Sequence, residues 1–162
     1  MKRKLVNSAL ASLVIACALL TIVAGTAAGQ GTQGGRIQGM WETQITLNDC
    51  SGHVIRSFLG TLAFHQGGTL TETAAGTPPA LRTGGQGVWS HTTGSNYAFR
   101  FKGFTFNAQN VLTGWTIISG EFTVDETGDV ISGPGATVQV YDPNGNLVAS
   151  LCADAVGTRF EL

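Results

Sequence analysis

Charge is what this sequence has least of. Only 12% of its 162 residues are Asp, Glu, Lys or Arg, against roughly a quarter in an average soluble protein. Nine basic residues face ten acidic ones, a formal net charge of −1. A basic surface for nucleic acid is therefore disfavoured. The same scarcity of Lys, Glu and Arg, set beside 23 glycines, argues against long helices. Cysteine numbers three and proline four. There is no Cys-x-x-Cys and the histidines are scattered, so metal ligation has no spacing to support it. Gly-x-Ser-x-Gly, a phosphate loop and paired carboxylates are also missing. No reaction can be read from such a chain. What it does have is apolar surface, at 43% hydrophobic residues. That is too much for disorder, and the length suits one domain.

The N-terminus reads as an address. Lys2, Arg3 and Lys4 precede an uncharged, mostly apolar run over 9–23, and small residues follow over 24–29. This is the layout of a secretory signal peptide, with cleavage expected after Ala28. The run is shorter than the roughly 20 residues that span a bilayer, which argues against a retained anchor and leaves no membrane span after cleavage. A lipobox at Val14-Ile15-Ala16-Cys17 is the weaker alternative, because the apolar run continues past Cys17. The protein is thus expected to be exported, to periplasm or medium. Cleavage removes three of the nine basic residues, leaving six against ten acids and a net charge of −4. Cys50 and Cys152 remain. In an oxidising compartment such a pair reads first as a disulfide, closing a loop of about 100 residues worth on the order of 4 kcal/mol.

Residues 29–36 read as a flexible leader, and 37–162 as one domain of short strands. Runs rich in β-branched and aromatic residues alternate with turn clusters roughly every 8–15 residues. They fall at 37–48, 53–65, 69–74, 87–92, 96–107, 111–124, 129–141 and 147–160. A side-chain period of two puts Trp41, Thr43, Ile45 and Leu47 on one face of the first run. It puts Val54, Phe58, Leu62 and Phe64 on one face of the second, with Arg56 as an exception. Gly103 interrupts the aromatics of the fifth run and reads as a bulge or corner. Gly133-Pro134-Gly135 predicts a bend in the seventh. Asp125, Asp129 and Asp142 sit beside turn glycines, where aspartate favours the turn itself. The only long connection is 75–86. About eight antiparallel strands in sequence order predict an all-β, up-and-down barrel, since closure removes both sheet edges. A β-sandwich is the alternative.

Gly39-Met40-Trp41 opens the first strand and Gly157-Thr158-Arg159 lies near the end of the last. This arrangement resembles the lipocalins and the wider calycin group. In those barrels a Gly-x-Trp indole packs at the closed end and a basic residue of the last strand lies across it. The resemblance implies a barrel-closure pair, Trp41 with Arg159. It is to the barrel type rather than to membership, because the first connection is short and little chain follows Arg159. Small barrels of the allene-oxide-cyclase-like and dirigent-like kinds share the shape.

One strand face lines the interior of a small barrel. The inward set is expected to include Ile45, Phe58, Leu62, Phe64, Tyr97, Phe99, Phe101, Trp115, Ile117 and Leu151. Such positions either fill a core or line an apolar pocket. The 75–86 loop is expected at the open mouth, as a lid or a plain surface loop. His53, His65 and His91 have no neighbouring catalytic motif and read as surface or strand histidines. Three functions follow. The first is an exported, lipocalin-like, non-enzymatic barrel that binds a small apolar molecule without a cofactor. The second is a cyclase or isomerase, with Tyr97 and Arg56 as its polar groups. The third is an interaction module with a filled core. Oligomeric state is left open.

Overall fold

Residues 35–162 are described by a computed structural model. The expected signal peptide over 1–28, the Cys17 alternative and the leader up to residue 34 lie outside the described residues. The strands are β1 (Gly39–Asn48), β2 (Val54–Phe64), β3 (Thr69–Ala74), β4 (Gly85–His91), β5 (Asn96–Phe106), β6 (Leu112–Val124), β7 (Val130–Tyr141) and β8 (Leu147–Arg159). Each pairs antiparallel with the next, and β1 pairs with β8, giving a closed barrel in sequence order. The expected up-and-down barrel is therefore the fold, and the sandwich is excluded. No helix among the described residues is long and apolar enough to cross a membrane.

The seam between β1 and β8 runs from Trp41↔Arg159 to Asn48↔Cys152. Cys50 and Cys152 are bonded, spanning a sequence separation of 102. The disulfide sits where β1 leaves the barrel at its open end. The expected bend in β7 is present as a register shift against β8 between Gly133 and Ala136. Gly103 is different. β5 and β6 pair without a break from Asn96↔Thr123 to Thr105↔Gly114, and the register shifts only between Thr105 and Phe106. The expected bulge at Gly103 is thus corrected. Phe104 needs no change of phase, because it lies on the outer face beneath the Lys102 ammonium, 4.8 Å from its ring centre.

Ile37 and Trp41 are fully buried and plug the closed end. The Trp41 indole N–H donates to the Ile37 carbonyl at 2.8 Å. The Arg159 guanidinium carbon lies 4.2 Å above the centre of the Trp41 ring. Its nitrogens also donate to the carbonyls of Gly128, Gln38 and Arg36 at 2.6–3.0 Å. Gly39 allows this approach. Its φ is +121°, and a Cβ there would stand 2.8 Å from the guanidinium. Arg36, expected in the flexible leader, is instead fastened by its own guanidinium to the carbonyls of Asp125 and Glu126.

Replacing Arg159 with alanine should lower stability by about 2–4 kcal/mol, from lost charge-assisted hydrogen bonds and the cation–π contact. Lysine should restore less than half, since one ammonium cannot serve three carbonyls around a flat ring. Urea unfolding followed by tryptophan fluorescence measures both, and an Arg159→Ala cost below about 0.5 kcal/mol would contradict this account.

Three hairpins are held by one device, an aspartate that accepts backbone N–H groups from the residues after it. Asp49 accepts from Ser51 and His53. Asp125 accepts from Gly128, Asp129 and Val130. Asp142 accepts from Asn144 and Asn146. Hydrogen bonds from Ser51 hold the Asp49 pKa at about 2, and those from Thr127 and Val130 hold Asp125 there too, against an ordinary 3.8. Asp142 is lowered as well, by Asn146. Their stabilisation is complete above the unfolded-chain value and is lost as pH falls through the folded one. Stability should therefore be flat from neutrality to about pH 4 and fall toward pH 2. The Asp49→Asn/Asp125→Asn/Asp142→Asn variant should show a much shallower acid limb in urea midpoints measured against pH.

Candidate functional site: the open half of the barrel

The interior divides along its axis. Toward the closed end it is packed by aromatic rings. Phe64 meets Trp89 and Phe122 edge-on at 6.0 and 6.1 Å, and Trp89 meets Tyr97 at 5.9 Å. Phe99 stacks on Phe122 at 4.8 Å. Burial raises the Tyr97 phenol pKa above its ordinary value, with nearby Arg36 acting in the opposite direction. Above these rings the inward residues midway along β7 and β8 are small, with Gly133, Ala136, Ala153 and Ala155 in place of rings. Those strands leave a cavity of about 180 Å³ above the aromatic floor.

Ile45, Phe58, Leu62, Phe99 and Phe101 lie on the cavity wall. Phe64 and Tyr97 point inward but belong to the packed floor. Leu151 shares the inward face of β8 with Ala153 and pairs with Val138, yet it is outside the group that lines the cavity. Trp115 and Ile117 are corrections. The inward positions of β6 are Thr116, Ile118 and Phe122, so both residues face outward. The Trp115 ring stacks on Tyr141 at 5.8 Å, and the Lys102 ammonium lies 4.1 Å from its centre. Covered in this way by cross-strand neighbours, an aromatic does not need the interior.

The 75–84 segment lies at the mouth, where a lid or a plain surface loop was expected, and part of it behaves as sheet. β4 pairs with β5 only from Lys102 to Tyr97. Beyond Lys102 the loop takes over that edge. Thr83 N–H donates to the Phe104 carbonyl and Phe106 N–H to the Leu81 carbonyl, both at 2.9 Å. Arg82 bridges to Thr105 and so enters the interior. Its Nη1 donates to Glu72 Oε2 at 3.0 Å. The same oxygen accepts the Gly85 N–H at 3.0 Å. Nearer the rim, Gly76 packs against the Phe58 ring and its carbonyl accepts from Arg56. Arg56 and Tyr97, the two polar groups of the enzymatic alternative, therefore sit in opposite halves of the barrel.

Glu72 and Arg82 escaped sequence reasoning. Glu72 had a signal, because it alternates in phase with Leu70 on a short strand. Arg82 had none, because loop residues carry no period. His53 and His65 are exposed, as read, and His91 packs beside Tyr97 at 5.2 Å. Around the mouth, Val54, Ile55, Val111, Leu112, Leu147 and Val148 are exposed apolar residues at the starts of β2, β6 and β8.

No protein-family model matches the chain, and no curated protein matches it in sequence. Among solved structures, the crystal structure of Rv2717c from M. tuberculosis aligns over 78% of this chain and 94% of its own, at 15% identity and a TM-score of 0.42.

Proposed function

We propose that this protein is an exported, lipocalin-like and non-enzymatic barrel that takes up a small hydrophobic molecule in the open half of its interior. The observation that carries this reading is the apolar cavity of about 180 Å³ bounded by Phe58, Phe99, Phe101 and Phe122. An apolar protein cavity of roughly 150 Å³ accepts benzene. A ligand enclosed here is therefore of about that class, a single ring or a short branched chain, and a longer one extends through the mouth. The exposed apolar rim suits the entry of such a molecule. Export is supported by the N-terminal residue pattern and by the disulfide, a bond that persists in oxidising compartments.

Native mass spectrometry of the purified protein, together with an NMR titration with toluene, tests the reading. Shifts confined to residues of the cavity wall are expected. Ala153→Phe should fill the space and reduce toluene affinity by about tenfold or more, one ring's worth of lost burial, while the barrel remains folded. Absence of any bound species and of any toluene-induced shift would reject the proposal.

A further inference from the structure

The cavity wall carries hydrogen-bond donors that the protein does not use. The Arg82 side chain is only 12% exposed. Its Nη1 serves both oxygens of Glu72, whereas Nε and Nη2 have no protein acceptor among the described residues. Those two nitrogens lie against Gly103, where a Cβ would stand 3.0 Å from Nη2 and 3.3 Å from Nε. A Cβ at 103 would oblige the guanidinium to give by a few tenths of an ångström, so the glycine suits its place on the wall. Directly across the β5–β6 ladder from Gly103 is Thr116. Thr116 lines the same cavity, and its Oγ1 is fully buried with no hydrogen-bond partner. An unpartnered buried hydroxyl such as that of Thr116 costs stability, and native proteins rarely keep one without cause.

We propose that Arg82 and Thr116 form the head-group subsite of the cavity and that the ligand is a small monocarboxylic acid with an aromatic or branched apolar body. This rests on the reading of the cavity as a ligand site. The carboxylate accepts from Arg82 Nε and Nη2, which present it with two parallel N–H groups, and from the Thr116 hydroxyl. The body then rests among Phe58, Phe99 and Phe101.

Three probes decide the matter with the purified, disulfide-bonded protein, namely phenylacetate, its neutral isostere phenylacetamide, and toluene. Titration by NMR or calorimetry should give phenylacetate an affinity at least about tenfold above phenylacetamide, the scale of one charge-assisted hydrogen bond. Thr116→Val keeps the shape and removes the hydroxyl. It should weaken phenylacetate several-fold and leave toluene unchanged. Arg82→Gln risks unfolding by stranding Glu72. Arg82→Lys keeps a cation beside Glu72 but withdraws the fork, and it should abolish most of the acid preference. Equal affinity for phenylacetate and phenylacetamide, with toluene still binding, would overturn the acid subsite and leave the apolar cavity intact. Failure of all three probes to bind would overturn both.

Discussion

Removing the disulfide should lower the unfolding free energy by about 4–5 kcal/mol, the largest single effect expected in this protein. The basis is the length of the closed loop, since a cross-link over roughly 100 residues withdraws that much chain entropy from the unfolded state. The seam of the native barrel has backbone pairing of its own beside the bond. β1 and β8 stay paired from Trp41 to Asn48. Beside the disulfide, Asn48 Nδ2 donates to Asp154 Oδ2 at 3.0 Å, and Asp154 Oδ1 accepts the Gly135 N–H at 2.8 Å. The Cys50→Ser/Cys152→Ser variant should therefore keep the native circular dichroism spectrum while its urea midpoint falls sharply. Against a usual total of about 5–15 kcal/mol, such a loss brings the protein close to the threshold of folding. A cost below about 1 kcal/mol would mean that the reduced chain is already constrained when unfolded.

Glu72→Ala should cost about 3–5 kcal/mol, because it strands the Arg82 guanidinium inside the barrel and frees the Gly85 N–H. Glu72 is 6% exposed, so the pair is largely shielded from bulk water. Removing both charges should cost far less than either single change. Glu72→Leu/Arg82→Met replaces the pair with apolar groups of similar volume, which is often neutral. The double-mutant cycle, read from urea unfolding, should give a coupling of about 2 kcal/mol or more. Amide exchange supplies a second readout. With Glu72 gone, residues 81–83 should lose protection while the β1–β8 seam keeps its own. A cycle with no coupling would show that the two side chains are solvated independently.

These two expectations differ in how early they could be formed. The disulfide was readable because only two cysteines lie beyond the apolar N-terminal run, which itself pointed to an oxidising compartment. The ion pair was not readable. Glu72 looks like any polar residue of a short strand. Its partner reaches the interior only because β4 is too short to cover the end of β5, and the 81–83 segment fills that gap. The aromatic residues divide along the same line. Phe58, Phe99 and Phe101 were legible from strict alternation. Trp115 was not, because Lys102 and Tyr141 cover its ring from neighbouring strands and permit it to stand outside.

The low charge and the spacing of turn residues determined, without any coordinates, that the chain forms about eight short antiparallel strands, with a barrel in sequential order favoured over a sandwich. Period-two alternation is a property of each strand alone, so the faces of most strands came with it. The resemblance carried by Gly39-Met40-Trp41 and Gly157-Thr158-Arg159 implied where the closed end lies. Tertiary structure alone decided whether that interior is full. Rings from β2, β4, β5 and β6 meet below and fill it. Above them, glycine and alanine on β7 and β8 leave space facing Phe58, Phe99 and Phe101. A cavity is the difference between volumes contributed by strands far apart in sequence, and no one strand records that difference.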